Sequence, residues 1–241
     1  MGVDVAKHIG MVGLSPEGSA ACYRALTRRV SEIEDPSLRP IVTMHSPPFA
    51  NYTDALDADD WESVAAMIAD ASHVLRDAGA DFCILPDNTA HHALPMAEVD
   101  SELPFLNMVD IVATHVQRRG WRTVGLIGTS FVTGGATYQS ALGLRGVRLL
   151  VPTADETHEL DDIIFGEAVF GRVRVESVRR MERVMERLAA SGCEGLILGY
   201  TESSLLMDMD GTSVISVVDP LEALVEEAVL HATTPAAAEA A

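Results

Sequence analysis

Basic side chains are scarce in this sequence, and lysine is almost absent. Lys and Arg together number 17 among 241 residues, against 36 Asp and Glu, so the formal net charge is −19. Nucleic acid and anionic membrane surfaces are not expected partners, because binding to either requires a basic face. Lys7 is the only lysine and precedes the first predicted strand, so no lysine is suitably placed for a Schiff base with pyridoxal phosphate.

Cysteine is rare, and the familiar nucleotide-binding loops are missing. The cysteines are Cys22, Cys83 and Cys193, with no C-x-x-C pair among them. We therefore expect no disulfide and no structural zinc site, and we expect all three to be small core residues. Neither G-x-x-x-x-G-K-[ST] nor G-x-G-x-x-G occurs, which removes the usual support for nucleotide binding. The sequence predicts chemistry without a cofactor and without a metal ion.

Long apolar runs are also absent. No stretch approaches the roughly 20 apolar residues that span a bilayer. Residues 1–7 lack the basic segment and long apolar region of a secretory signal, so the expected location is the cytoplasm.

Short apolar runs alternate with amphipathic stretches along the chain, which is typical of an α/β fold. Strands are predicted at residues 8–13, 40–45, 81–86, 104–109 and 121–128. Helices are predicted at residues 16–33, 59–78, 110–120, 155–171, 174–190 and 219–231, with a short one ending near residue 93. Residues 46–54, which contain prolines, polar residues and aromatic residues, are predicted to form a long loop.

The second half of the chain repeats the first. Residues 8–15 resemble residues 123–130, 115 positions later, and residues 79–88 resemble 192–201, 113 positions later. A third match pairs 109–110 with 218–219. We predict a duplicated unit with two pseudosymmetric lobes, each a small parallel sheet flanked by helices. The predicted N-terminal lobe is 1–119, onto which helix 219–231 packs, the C-terminal lobe is 120–230, and 232–241 form a flexible tail.

Polar residues follow the apolar run that ends at Pro86. Asp87, Asn88 and Thr89 stand where a strand leads into a helix. In α/β sheets ligands bind at the carboxyl ends of strands, and the free N–H groups of helix starts favour anions. The repeat makes Tyr200 the equivalent of Asp87 and Thr201 the equivalent of Asn88, just as Ser130 corresponds to Ser15. The sequence therefore predicts a carboxylate-binding cleft between the lobes.

Four motifs in this order resemble the aspartate/glutamate racemase superfamily: G-L-S-P-E at 13–17, D-N-T-A-H at 87–91, L-I-G-T-S at 126–130 and L-G-Y-T-E at 198–202. The resemblance extends over about residues 7–230. It implies a cofactor-independent enzyme with two pseudosymmetric α/β lobes, a homodimer, and a small-molecule substrate with a carboxylate or carbonyl group. Amino-acid racemases, hydantoin racemases, maleate isomerases and arylmalonate decarboxylases belong to this superfamily.

This sequence departs from the racemase pattern at both catalytic positions. The resemblance implies cysteines before Asn-Thr and between Gly and Thr-Glu, acting as opposed acid/base groups, but Asp87 and Tyr200 stand there. A thiol titrates near about 8.5, whereas Asp and Tyr titrate near about 3.9 and about 10. The basic positions that hold a distal carboxylate in the family correspond to Tyr52 and Val169. The expected substrate thus has an apolar or neutral distal part.

Each candidate residue has a structural alternative. Asp87 is a general acid or base, or a helix cap, and a helix start would stabilise its carboxylate and make it a weaker base. Tyr200 donates a proton or shapes the pocket. His91, one helical turn from Asp87, is the best histidine for proton transfer. Glu202 orients Tyr200 or favours a helix start. The predicted binding residues, with capping as their alternative, are Ser15, Tyr52, Asn88, Thr89, Thr129, Ser130 and Thr201. Asp110 and Asp219 are predicted helix caps.

The leading hypothesis is proton transfer by epimerisation or isomerisation next to a carbonyl or carboxylate. Asp87 is the principal acid or base, and Tyr200 is the opposed proton donor or the partner of an oxyanion. Decarboxylation, hydrolysis with Asp87 activating water, and carboxylate binding without catalysis remain the alternatives.

Overall fold

The computed structural model describes residues 6–201 and 215–234. Glu202 lies outside the described residues. The expected tail, 232–241, begins too early, because residues 232 and 233 belong to the last helix and Ala232 is buried, and from residue 235 onward it lies outside the described residues. Within the two described segments, no helix is both long enough and apolar enough to cross a membrane.

The N-terminal lobe contains a four-stranded sheet in the order β2-β1-β3-β4, with every pair parallel. Its strands are β1 (Ile9–Val12), β2 (Val42–His45), β3 (Phe82–Ile84) and β4 (Phe105–Leu106). Its helices are α1 (Pro16–Ser31), α2 (Phe49–Asp57), α3 (Trp61–Asp77), α4 (Leu94–Asp100) and α5 (Met108–Arg118). Short 3-10 helices occupy Pro36–Leu38 and Ala90–His92.

The C-terminal lobe repeats this arrangement with a parallel sheet in the order β6-β5-β7-β8. Its strands are β5 (Thr123–Gly128), β6 (Arg148–Leu150), β7 (Gly195–Gly199) and β8 (Val217–Val218). Its helices are α6 (Ser130–Thr133), α7 (Ala136–Gly143), α8 (Ala154–Gly166), α9 (Val175–Ala190) and α10 (Pro220–Thr233), with a 3-10 helix at Ala168–Phe170. The predicted α/β class with two similar lobes is confirmed.

The strand register agrees with two of the three repeat matches. Ile9 pairs with Phe82 in one sheet, and Val124 pairs with Gly195 in the other, which are the residues that the sequence match aligns. The third match is wrong by three positions, because the pairs at the sheet edges are Ile84 with Leu106 and Ile197 with Val218.

The cause of that error is the residue that caps α5. The Asn107 side chain accepts the N–H groups of Val109 and Asp110, as the Asp219 side chain accepts those of Leu221 and Glu222 in α10. Asp219 is therefore a cap, as predicted, but Asp110 lies inside the first turn of α5. Asn and Asp cap helices equally well, so matching Val-Asp to Val-Asp selected the wrong equivalence.

The predicted loop 46–54 is wrong, because a helix, α2, begins at Phe49. Helix α2 forms because of tertiary packing. Phe49, Tyr52, Thr53 and Leu56 recur at helical spacing and face the space between the lobes. The prolines before the helix and its Asn and Thr residues suggested a loop. Nine residues have little helical stability of their own, and burial of this face supplies the rest.

The last helix, α10, packs on the N-terminal lobe. Its buried Leu221, Leu224 and Val225 share an apolar cluster with Ile9 of β1 and Leu26 of α1. The chain therefore returns to the first sheet after completing the second.

Two glycines let β5 and β7 approach closely at their carboxyl ends. Gly128 pairs with Gly199, and a Cβ atom on Gly128 would lie 2.8 Å from the carbonyl oxygen of Gly199. That neighbour is backbone and cannot rotate away. We predict that Gly128→Ala lowers the free energy of unfolding by about 1–3 kcal/mol through overpacking, as measured by urea denaturation.

Gly143 provides the matched control. It ends α7, and a Cβ atom there would meet nothing within 4 Å. Gly143→Ala is expected to raise the free energy of unfolding by up to about 1 kcal/mol, because alanine favours the helical state. Equal stability of the two variants would contradict the close approach of the strands.

Candidate active site

A cavity lies between the lobes where the four central strands end. Ser15 follows β1, Asp87 follows β3, Thr129 follows β5 and Tyr200 follows β7, and all four line it. The cavity is narrow and opens to solvent. The polar lining also includes Tyr52, Thr53, Asn88, Thr89 and Thr201.

Most predicted site residues meet in this cavity. The predicted residues that line it are Ser15, Tyr52, Asp87, Asn88, Thr89, Thr129, Tyr200 and Thr201. Ser15, Thr89 and Thr129 occupy N-cap positions without making a side-chain capping bond, so capping does not account for them. His91 and Ser130 do not line the cavity, and Glu202 lies outside the described residues.

Ser130 shows where the pseudosymmetry breaks. It begins α6, is exposed, and its backbone N–H donates to Asp161 Oδ1 at 2.8 Å. The preceding residue, Thr129, reaches the cavity instead. Ser15 and Ser130 match in sequence, but the turns after β1 and β5 place different residues toward the ligand space.

His91 is a buried structural link. Its Nδ1 lies 2.7 Å from the carbonyl oxygen of Asp87, and its Nε2 accepts the backbone N–H of Met108 at 3.1 Å. The bonds require a proton on Nδ1 only, so the ring is neutral. Burial lowers the pKa of His91 to about 4, in agreement with this state. The ring holds the backbone of Asp87 against the start of α5.

Asp87 is a buried carboxyl group, and one of its oxygens accepts two hydrogen bonds. Its Oδ1 accepts the N–H of Ala90 at 2.9 Å and the hydroxyl of Tyr52 at 3.1 Å. These bonds favour the ionised form, yet burial dominates and raises the pKa of Asp87 to about 6. The expectation of a weaker base is therefore wrong. The structure after Asp87 is only a three-residue 3-10 helix, so the helix start offsets little of the desolvation.

Hydrogen bonds join the lobes beside the cavity. The Tyr138 hydroxyl of the C-terminal lobe donates to Asn88 Oδ1 at 2.6 Å, and Thr89 Oγ1 lies 3.2 Å from Thr129 Oγ1. Asn88 Nδ2 is buried and has no hydrogen-bond partner among the residues that the structure describes. The cavity thus contains an unused donor directly after Asp87.

The rest of the lining is apolar. It consists of Phe49 and Leu56 from α2, Ile164 and Phe165 from α8, and Val169 from the following 3-10 helix. Five lining residues were not predicted as site residues from the sequence: Phe49, Thr53, Leu56, Ile164 and Phe165. For α2 the signal was available, since its lining residues follow the i, i+3, i+4, i+7 pattern of one helical face.

No cationic side chain lines the cavity. None of its described lining residues is Lys, Arg or His, and residues 1–5, 202–214 and 235–241 contain none either. Lys7 lies before β1, at the opposite end from Ser15. Asp87 is therefore a carboxyl group without a neighbouring positive charge.

The cysteines are buried outside the cavity lining. Burial raises the pKa of both Cys22 and Cys83 to about 12, which suppresses the reactive thiolate. In the two described segments, no group of His, Cys, Asp and Glu is arranged to hold a metal ion.

The raised pKa of Asp87 makes stability depend on pH. Its folded-state value of about 6 exceeds the unfolded value near about 3.9, so its contribution is complete below about pH 4 and is lost as pH rises through 6. Between about pH 4 and 8, the wild-type protein should lose up to about 3 kcal/mol of unfolding free energy relative to Asp87→Asn. Urea denaturation across this range measures the difference.

Glu167→Gln is the control for that experiment. The Arg174 guanidinium beside Glu167, with the hydroxyl of Ser177, lowers the pKa of this carboxyl to about 2. Its contribution is lost only as pH falls toward 2, so the difference from wild type should stay constant between about pH 5 and 8. A constant difference for Asp87→Asn as well would contradict the desolvation of Asp87.

Known proteins share both the sequence pattern and this two-lobed arrangement. A family model described as Asp/Glu/Hydantoin racemase matches residues 11–228. A candidate Asp/Glu racemase from Yersinia pestis superposes with a TM-score of 0.83 at 25% identity, over 95% of this chain and 100% of that one. An aspartate racemase homologue from Pyrococcus horikoshii has a TM-score of 0.78 at 26% identity, with the same coverage. Glutamate racemase from Francisella tularensis, in complex with D-glutamate, shares the fold, with a TM-score of 0.66 at 14% identity over 93% of this chain and 80% of that one. The match over nearly the whole chain places this protein in the Asp/Glu/Hydantoin racemase family.

Proposed function

We propose that this protein is a cofactor-independent isomerase that moves a proton at a carbon next to a carbonyl or carboxylate. In this proposal Asp87 and Tyr200 are the acid/base groups, and the substrate is a small organic acid or its derivative. One observation carries the proposal: the two residues end corresponding strands of the two lobes, are both buried and line the same cavity. Membership of a racemase family supports an isomerase.

The proposed reaction begins at Asp87. Its carboxylate removes the proton from carbon, the electron pair of that C–H bond forms a double bond to the carbonyl carbon, and the C=O π pair moves onto the carbonyl oxygen. A pKa of about 6 suits a general base at neutral pH, because enough of the group is ionised and it retains affinity for the proton. Ser15, Thr129 and Thr201 line the cavity, and in the proposal their hydroxyl groups donate to the oxygen of the enolate-like intermediate.

The second step returns a proton from the opposite face. The Tyr200 hydroxyl donates its proton to carbon as the electron pair returns from oxygen, which inverts the configuration. Solvent then resets the protonation of Asp87 and Tyr200. The unlike groups suit a substrate whose C–H bond is already acidified by neighbouring carbonyl groups, rather than a free amino acid.

The lining favours a substrate with an apolar distal group. Phe49, Leu56, Phe165 and Val169 line the cavity, and none of its described lining residues is a cation that could pair with a second carboxylate. Burying an unpaired carboxylate costs several kcal/mol. We therefore propose aryl or branched alkyl substituents, and aspartate is the comparison substrate that should fail.

Deuterium exchange tests the reaction. Both enantiomers of 2-phenylmalonate monoamide, whose C–H bond lies between two carbonyl groups, are incubated with the protein in D₂O, beside both enantiomers of 2-phenylpropionate and its amide. NMR and chiral chromatography follow the product. Wild-type protein should incorporate deuterium with inversion. Asp87→Asn should reduce exchange of the enantiomer presented to Asp87 by about 10²–10⁴-fold. Tyr200→Phe should suppress inversion by a similar factor but leave that enantiomer exchanging with retention.

Asp54→Asn is the matched control, because Asp54 is exposed on α2 and does not line the cavity. The same change of charge should leave exchange unaffected there. Binding without exchange across the panel would identify a carboxylate-binding protein. Release of carbon dioxide, or incorporation of labelled oxygen from water, would identify a decarboxylase or a hydrolase instead.

The homodimer expected from the family resemblance remains a proposal. Analytical ultracentrifugation of the full chain measures it directly, and a monomeric mass would remove it.

A further inference from the structure

We propose that Tyr138 is a positioning residue that orients the Asn88 carboxamide, so that Asn88 Nδ2 donates to a carbonyl or carboxylate oxygen of the ligand. Tyr138 belongs to the C-terminal lobe and does not line the cavity, whereas Asn88 belongs to the N-terminal lobe and does. The inference rests on the proposed function and deepens it by naming the ligand atom that Asn88 binds.

The distance between the Tyr138 and Asn88 side chains determines which of them donates the hydrogen bond. Their oxygen atoms, the Tyr138 hydroxyl and Asn88 Oδ1, are 2.6 Å apart. That separation is typical of O–H···O and is shorter than the usual N–H···O distance of about 2.9–3.0 Å. Burial raises the pKa of Tyr138 above its usual range, so the hydroxyl keeps its proton. Tyr138 is therefore the donor and Oδ1 the acceptor.

The nitrogen of the Asn88 carboxamide is the end that can bind a ligand. With Oδ1 directed to Tyr138, the two hydrogens on Nδ2 remain, and they have no partner in residues 6–201 and 215–234. A buried donor without an acceptor is costly, so an oxygen that enters beside it is bound favourably. Asp87 and Asn88 line the same cavity, so an oxygen bound by Asn88 shares that space with the group that removes the proton.

Tyr138 is held in place by the packing of its own lobe. Its side chain is 1% exposed and packs in the apolar cluster that contains Val124, Leu142 and Val147. The ring therefore has a fixed position within the C-terminal lobe. Through its hydroxyl, the packing of one lobe determines the donor direction in the other.

Tyr138→Phe tests the proposal, because it preserves the packed ring and removes the hydroxyl. Phenylacetate is the probe, since it combines a carboxylate with an aryl group. Titrations at about pH 5.5, below the pKa of Asp87, are followed by the side-chain amide signals of Asn88 in NMR spectra and by calorimetry. In wild-type protein, phenylacetate should shift the Asn88 amide signals. Tyr138→Phe and Asn88→Ala should each weaken binding about tenfold, the size expected for one hydrogen bond.

The double variant distinguishes positioning from loss of packing. If Tyr138 acts through Asn88, the two changes together should weaken binding no more than Asn88→Ala alone. Tyr23→Phe, which removes an exposed hydroxyl, should leave binding unchanged. Additive losses, unchanged affinity in Tyr138→Phe, or no binding of phenylacetate to wild-type protein would overturn the proposal. If Tyr138→Phe fails to fold, the wild-type amide signals still decide, because their failure to shift with bound phenylacetate also overturns it.

Measurements of binding and of turnover distinguish a failure of the Tyr138 proposal from a failure of the proposed isomerase. Non-additive loss of phenylacetate binding without deuterium exchange by any acid would support the role of Tyr138 and remove the proposed isomerase. Exchange at the wild-type rate in Tyr138→Phe would support the proposed isomerase and remove the positioning role of Tyr138.

Discussion

The contact between the two lobes is the constraint on which the cavity depends. Neither four-stranded sheet encloses it alone, since its lining comes from the carboxyl ends of strands in both. Two side-chain hydrogen bonds, from Tyr138 to Asn88 and between Thr89 and Thr129, cross that contact beside the lining residues. Phe49 packs against the apolar clusters of both lobes. The separation of Asp87 and Tyr200 is therefore set by packing between lobes.

Duplication provides similar backbones, and the side chains then make them unlike. The registers of the central strands correspond, so Asp87 and Tyr200 occupy equivalent positions. Around them the equivalence fails, because Ser15 lines the cavity but Ser130 does not. A symmetric scaffold thus holds an asymmetric set of functional groups, which favours assigning different roles to the two sides.

Strands β1 to β5 and the repeat could be predicted because buried parallel strands form continuous apolar runs that recur at one spacing. The residues after those strands followed directly, including Asp87, Asn88 and Tyr200. Strand β6 was not predicted, because it is only three residues long and none of its side chains is fully buried. Helix α2 was missed although its apolar face recurs at helical spacing, because the prolines before it and its Asn and Thr residues favour a loop. Its stability comes from contacts that the folded chain provides. The sequence identifies the residue types that cap helices but not which of Asn107 and Asp110 does so.

The chemical state of Asp87 was also beyond the sequence. Residue order shows a carboxyl group near a helix start, which lowers its pKa. It does not show the burial, whose opposite effect on the pKa is larger. The exposure of Ser130 has a similar origin, since one residue of difference in a turn decides which side chain faces the cavity.

The absence of Lys, Arg and His from the described lining, and from the segments outside the description, affects how a ligand's own charge is accommodated. An anion entering beside Asp87 would bring a second negative charge into a poorly hydrated space. The repulsion is relieved when Asp87 takes a proton from water, so binding of an anion leaves the surrounding solution more alkaline. A neutral molecule brings no such requirement and meets Asp87 in its ionised form. An anionic substrate therefore lowers the fraction of Asp87 that is ionised and can act as the base, so a neutral derivative is the better match to the proposed reaction.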